Sequence, residues 1–288
     1  MYTVRQLTPA DVHAVERLLR SSEYIYQRFT LEELPLLLER YPCMGVFSNQ
    51  TTLTSFLLVQ TVNPPVAWIG GFGVSWTESR SYIEHLDRLL EALMQPLHKA
   101  GVQDLYYSGS DMMLDWLRPL LMHRQFEPDR YLYSYDKYDY AVPTQGNQQV
   151  TIRPVNPATD MPALLTIEHA CFEELWRYDE AAFRDIARTH PYFVVAEQRG
   201  HVVGYQFNAL DAEMGYLIRI AVHPSAERQG IGARLMTEAV RFFERHGATR
   251  IMLNTEEQNV HAHRLYEWFG FTRLPQTGFV LRRSLENP

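Results

Sequence analysis

Two periods of apolar residues alternate along this chain: short runs with apolar side chains at every second position, and longer runs in which they recur every three or four. These are the signatures of half-buried strands and amphipathic helices. A strand is expected near residues 4–8. Pro9-Ala10-Asp11 then opens a helix with Val12, Val15, Leu18 and Leu19 on one face. A helix over 31–41, strands at 44–48, 53–61 and 67–75, a helix over 79–100, a strand at 105–108, a helix at 112–123 and a strand at 131–135 complete a first set.

Residues 141–149 are polar and carry Pro143 and Gly146, so they read as a linker. After them the order restarts. Thr151-Ile152-Arg153-Pro154-Val155 echoes Thr3-Val4-Arg5-Gln6-Leu7, followed by helices near 161–174 and 180–188 and strands at 192–197, 202–210 and 216–222. A helix reaching His246, a strand at 250–254, a helix containing Tyr266 and a strand at 279–283 close the second set. This reads as an internal duplication with a period of about half the chain. The expected domains are 1–140 and 150–288, each an α+β unit with a mixed, mostly antiparallel sheet flanked by helices.

The chemistry concentrates after the strand that ends at Val222. Pro224 stops that strand, and Gly230 and Gly232 precede the next helix. Glycines at a strand-to-helix turn let the main chain approach an anion, and free amides at a helix start attract it. An ordinary tight turn has the same local form. A dinucleotide fingerprint wants a third glycine where Ala233-Arg234-Leu235 stands, and a P-loop wants Gly-Lys-Ser/Thr, which is missing. Further on, Asn259 is placed to cap a helix and Gly270 to end it, with Asn259, His263 and Tyr266 on one face.

Together these stretches resemble the GNAT superfamily of acyl-CoA N-acyltransferases. Its second motif, Asn-x-x-Ala-x-x-x-Tyr-x-x-x-Gly-Phe, is matched by Asn259, Ala262, Tyr266, Gly270 and Phe271. Its diphosphate loop, Arg/Gln-x-x-Gly-x-Gly/Ala, is matched at Gly230 and Gly232, with Glu227 in the Arg/Gln place. The doubling resembles mycothiol-synthase-like members with tandem domains. Aligning Val74 with Val222 puts Tyr82 and Glu84 opposite Gly230 and Gly232, and aligning Phe126 with Phe271 puts Leu121 opposite Tyr266. A ring and a carboxylate at the loop oppose a diphosphate, so the first copy is expected to be degenerate and without cofactor.

The resemblance implies an acetyl-CoA-dependent N-acetyltransferase with its chemistry in the C-terminal half and no metal. It assigns cofactor binding to Arg228, Gln229, Gly230, Ile231, Gly232 and Ala233, and main-chain contacts to the pantetheine arm to Ile220, Ala221 and Val222. Tyr266 becomes the general acid toward the coenzyme A thiolate; a half-buried helix aromatic is the plain alternative. Asn259 bonds the pantetheine arm, caps its helix, or both. Glu173, Trp176 and Glu213 are candidate acceptor contacts, with Phe172, Arg177 and Tyr178 beside them. The general base stays open among Glu213, Glu173, Glu174, Glu256 and water, since Asn254 occupies the place where related members carry a glutamate.

A net charge of −7 argues against an extended nucleic-acid footprint. Cys43 and Cys171 are too few for a disulfide scaffold, match no metal spacing, and are expected to be buried thiols. Without a signal-peptide core or a spanning apolar run, the expected place is the cytoplasm, as a monomer or homodimer away from membranes. The acceptor is expected to be a small-molecule amine or a protein N-terminus. A non-catalytic acyl-CoA-binding or sensor module is the competing reading.

Overall fold

The computed structural model describes residues 2–22 and 24–285. The chain divides into two compact units, Met1–Arg130 with Gly278–Pro288, and Tyr131–Thr277.

In the first unit the elements are β1 (Tyr2–Gln6), α1 (Val12–Ser21), β2 (Tyr24–Gln27), α2 (Leu34–Arg40), β3 (Cys43–Ser48), β4 (Thr52–Asn63), β5 (Val66–Val74), α3 (Tyr82–Lys99), β6 (Asp104–Gly109) and α4 (Leu117–Met122). The strands lie in the order β1-β3-β4-β5-β6, with β5 and β6 parallel and the others antiparallel. Val15, Leu18 and Leu19 of α1 and Leu34, Leu37 and Leu38 of α2 are buried together with Phe47, Phe56 and Leu58 of the sheet. That is the apolar face expected from helical spacing.

One strand of this unit has no counterpart in the sequence reading. β2 pairs antiparallel with β5, from Tyr24 against Val74 to Gln27 against Gly71. β5 and β6 are paired only from Val66–Trp68 opposite Asp104–Tyr106, and β2 occupies the gap that opens beyond. The Tyr26 hydroxyl donates to the Ser108 carbonyl of β6 at 2.9 Å, tying the inserted strand to both walls.

The second unit holds part of β7 (Glu127–Lys137), then β8 (Thr151–Pro154), α5 (Met161–Cys171), α6 (Glu180–Thr189), β9 (Tyr192–Gln198), β10 (His201–Asp211), β11 (Met214–Val222), α7 (Ile231–Arg245), β12 (Arg250–Glu256) and α8 (Val260–Trp268). Its sheet order is β7-β12-β11-β10-β9-β8. Alternate side chains of the sheet face opposite ways: Leu217 packs with Met236, Phe243 and Tyr266 under α7 and α8, while Tyr205, Phe207 and Ala221 pack with Leu164, Ile167 and Phe183 of α5 and α6.

Two strands depart from the division expected at the linker. The strand expected to finish the first half pairs with β12 of the second unit, from Leu132 against Glu256 to Lys137 against Ile251. The strand expected to finish the second half lies in β13 (Thr272–Ser284), whose residues 279–284 pair with β6 of the first unit. Alternation identifies a strand and its buried face, but the edge it joins is chosen by main-chain hydrogen bonds that every residue can offer. Among the described residues no helix is long and apolar enough to cross a membrane.

Candidate functional site

In the second unit the parallel neighbours β11 and β12 are paired only at Met214, Gly215 and Tyr216. Beyond Tyr216 they part into a notch, and among the described residues no strand lies on the notch side of β11 from residue 218 onward. On its other side β11 stays paired with β10 as far as Val222, with one irregularity. Leu217 faces Asn208 and Arg219 faces Phe207, which leaves Ile218 as an extra residue. Such a bulge bends its strand and re-aims the side chains that follow.

At the mouth of the notch Pro224 ends the strand in a single tight turn, and the chain passes through left-handed conformations at Arg228 (φ 59°) and Gly230 (φ 75°) before α7 begins. Gly230 stands at the N-cap and brings no side chain to cap the helix. The main-chain N–H groups of Arg228, Gln229, Gly230, Ile231, Gly232 and Ala233 have no hydrogen-bond partner among the described residues. Six free donors stand together on a loop, three of them in the first turn of a fifteen-residue helix, and unpaired amides at a helix start are the kind of group that attracts an anion. At Gly232 an added Cβ would meet only Leu265 Cδ2 at 3.8 Å and Val222 Cγ2 at 4.0 Å. The loop, the end of β11 and α8 therefore converge on one point.

α8 is fixed at both ends by the residues that the sequence singles out. Asn259 caps it, its side-chain oxygen accepting from the Ala262 amide at 3.2 Å. At the other end Gly270 is left-handed (φ 80°), the Phe271 amide donates to the Tyr266 carbonyl at 3.0 Å and the Gly270 amide to the Glu267 carbonyl at 2.9 Å. This double closure is why Gly270-Phe271 accompanies Tyr266: it ends the helix on the carbonyl of Tyr266 itself. The Phe271 and Tyr135 rings then stand 6.2 and 5.8 Å from the Tyr266 ring. Tyr266 is 6% exposed, and burial pushes its phenol well above the usual range. Its hydroxyl has no hydrogen-bond partner among the described residues.

Residues 161–271 match the model of the acetyltransferase (GNAT) family. Residues 161–271 are a GNAT domain. The mycothiol acetyltransferases of Stackebrandtia nassauensis and Salinispora arenicola are similar to this chain, 31% identical over 137 residues and 30% over 139. Each match covers 43% of this chain and 45% of the relative, so the chain spans less than half the length of the relatives it matches. Among solved structures, a tandem GNAT protein from the clavulanic acid biosynthesis pathway has a TM-score of 0.71 over all of both chains at 11% identity. A GCN5-related N-acetyltransferase from Sphaerobacter thermophilus has a TM-score of 0.68 over 99% of this chain and 96% of that one, at 16% identity. At these identities the likeness is one of fold, and the fold is that of tandem GNAT proteins.

The three acceptor candidates of the GNAT domain do not share one place. The Trp176 indole donates to the Glu256 carboxylate at 2.7 Å, linking the loop after α5 to the end of β12, and Glu173 opens the same turn. Glu213 lies in the turn before β11, at the opposite end of that strand from the loop, where its carbonyl accepts from the Thr249 amide at 2.8 Å. Sequence proximity to the strand concealed this, because a nine-residue strand carries its ends roughly 25 Å apart. Cys171 is half-buried rather than buried; its thiol, pushed up to about 11 by burial, donates to the Val222 carbonyl at 3.2 Å.

The sequence reading missed one charged cluster of the GNAT domain. Arg219, the residue after the bulge, pairs with the fully buried Glu168. Its guanidinium lies between the rings of Phe172 and Tyr178, 4.0 and 4.2 Å from their centroids. Glu168 also accepts from the Tyr205 hydroxyl and from the Tyr178 amide at 2.8 Å. Burial raises the Glu168 carboxyl and the Arg219 charge opposes the rise. The cluster fastens the loop at 172–178 to β11. A polar residue inside each apolar run, Glu168 in α5 and Arg219 in β11, was the available signal, since buried charges occur almost only in pairs.

Proposed function

We propose that this chain is an acetyl-CoA-dependent N-acetyltransferase whose chemistry lies in the second unit. The observation that carries this reading is the convergence of an unpaired strand edge, a row of free amides and a buried phenol in one domain of the GNAT family. The amides of residues 228–233 would hold the diphosphate of the donor, and the edge at Ile220, Ala221 and Val222 would pair with its pantetheine arm. Asn259 remains a cap whose side-chain nitrogen is available to that arm.

The acceptor, a small-molecule amine or a protein N-terminus, attacks the thioester carbonyl as its neutral base. The carbon–nitrogen bond forms, the carbon–sulfur bond breaks, and the Tyr266 hydroxyl gives its proton to the departing thiolate. The proton released by the acylated nitrogen passes to water, and the phenolate regains one from solvent to close the cycle. Burial keeps the phenol protonated at neutral pH, and the same apolar surroundings raise the proton affinity of a thiolate formed beside it. The acceptor loop at 172–178, with Glu173 and Trp176, is the wall on which the amine would be oriented. Two unpaired thiols suit a reducing compartment such as the cytoplasm.

Isothermal titration with acetyl-CoA tests the donor site, with Gly232→Glu as control. The Cβ of a glutamate there makes only ordinary van der Waals contacts, with Leu265 and Val222, and a carboxylate suits the first turn of a helix, so the variant should fold while placing a negative charge among the amides. Gly230→Glu is the poorer control, because φ 75° strains any side chain. Thiol release over a panel of amines tests the chemistry. Binding without turnover on every amine would make the chain an acyl-CoA-binding module instead, and no binding by the wild type would overturn the reading.

A further inference from the structure

The linker, residues 141–149, is not slack. It lies within the second unit and is fastened along α7. The Thr237 hydroxyl, fully buried, donates to the Thr144 carbonyl at 2.8 Å, and the Arg241 guanidinium donates to the Gln145 side chain. Gly146 is left-handed (φ 64°), and a Cβ on it would stand 2.2 Å from the Arg234 nitrogen and 2.5 Å from its Cα. That approach is closer than any other residue type allows. Asn147 then reaches the anion loop twice. Its main-chain N–H donates to the Gly230 carbonyl at 3.1 Å, and its side-chain nitrogen donates to the Gln229 carbonyl at 2.8 Å. Its side-chain oxygen accepts from the Gln149 amide at 2.8 Å, which fixes the rotamer.

Both bonds take carbonyls, and this sets the amides. In a trans peptide the C=O and N–H of one plane point in opposite directions. Holding the Gln229 carbonyl toward the linker turns the Gly230 N–H away from it, and holding the Gly230 carbonyl does the same for the Ile231 N–H. The left-handed residues of this loop have no regular ladder to fix their planes, and the Arg234 amide, donating to Gly230 at 3.0 Å, secures only one of the two.

We propose that Asn147 is a positioning residue for donor binding: seated by Gly146, it orients the Gly230 and Ile231 amides toward the diphosphate. This rests on the acyl-CoA reading of the site. The experiment measures the affinities of wild type, Asn147→Ala and Gly146→Ala for acetyl-CoA by calorimetry, for inorganic diphosphate by competition, and for S-acetylpantetheine by ligand-observed NMR. Acetyl-CoA and diphosphate should each bind about tenfold more weakly to both variants, as for one or two misaligned donors to a charged group. S-acetylpantetheine, which lacks the diphosphate, should bind within twofold of wild type. Unchanged acetyl-CoA affinity in Asn147→Ala, or equal losses on all three ligands, would overturn the proposal. A wild type that binds none of them would overturn the donor reading, and the proposal with it.

Discussion

The two units open the same gap and treat it oppositely. In each, two parallel strands pair over three residues and then separate: β5 from β6, and β11 from β12. In the second unit no described strand joins the freed edge, which ends in a loop of open amides. In the first, β2 pairs with that edge and fills it. The side chains follow suit. Tyr82, opposite Gly230 in the alignment, stacks on Tyr24 of β2 with centroids 4.9 Å apart and planes 17° from parallel. Leu121, opposite Tyr266, is fully buried. The Cβ atoms that Gly71 and Gly73 of β5 lack would fall 2.6 Å from Phe29 and 2.8 Å from Phe56, so these glycines make room for the ring that follows β2 and for a ring of the neighbouring strand β4. What remains beside β2 is an open cleft of about 380 Å³ lined by Tyr26, Arg28, Tyr107, Asp115 and Trp116 among others. The same parting of strands is thus filled by the chain itself in one unit and left unfilled by any described strand in the other.

The sharpest way to break this contrast is Tyr266→Phe. It should lower kcat by ~10²–10⁴-fold, the usual range for a lost proton donor, while calorimetry shows acetyl-CoA affinity unchanged. An unaffected kcat would return Tyr266 to the core as a packing residue. Next in size, Gly232→Glu should weaken acetyl-CoA binding by about 100-fold, because the new carboxylate meets the diphosphate at short range. The titration stoichiometry should then be one donor per chain, and it should stay at one in Tyr82→Gly, since β2 still occupies the first gap. Two donors per chain would end the distinction between the units.

The smallest effect concerns the helix that follows the filled gap. His85 of α3, aligned with Ala233, is fully buried with neither ring nitrogen bonded among the described residues. Burial holds it below its ordinary value of 6.5, so the folded unit favours the neutral ring. Its environment is therefore fully tolerated above that value, and stability falls as pH drops through it, because the unfolded chain takes up the proton first. In His85→Leu, thermal melts between pH 7 and 5 should lose part of the acid-side decline seen in the wild type.

Much of this was legible in the residues. Gly230 and Gly270, at positive φ, and Asn259, at a helix cap, stand where the backbone geometry selects the residue, and such positions announce themselves; Gly232 and Tyr266 were legible only through the motif they complete. Helices and the longer strands followed from periodicity. β2 did not, because Tyr24-Ile25-Tyr26-Gln27 is too short to display alternation. The Arg219–Glu168 pair joins residues 51 apart in sequence, and no local pattern names such partners. The role of the linker was hidden for the opposite reason: polar residues with Pro and Gly look alike whether they swing free or grip a helix.

The crossed terminal strands shape how the molecule comes into being. Gly109 must wait for Phe279, so β6 stays without one of its neighbours until roughly 170 more residues have been synthesised. The second unit, with β7 already made when α7 and β12 emerge, can complete its sheet first. Severing the gene at the linker would thus give two fragments, each short of one strand and each exposing an adhesive edge, which tend to stick to one another or to themselves rather than fold apart.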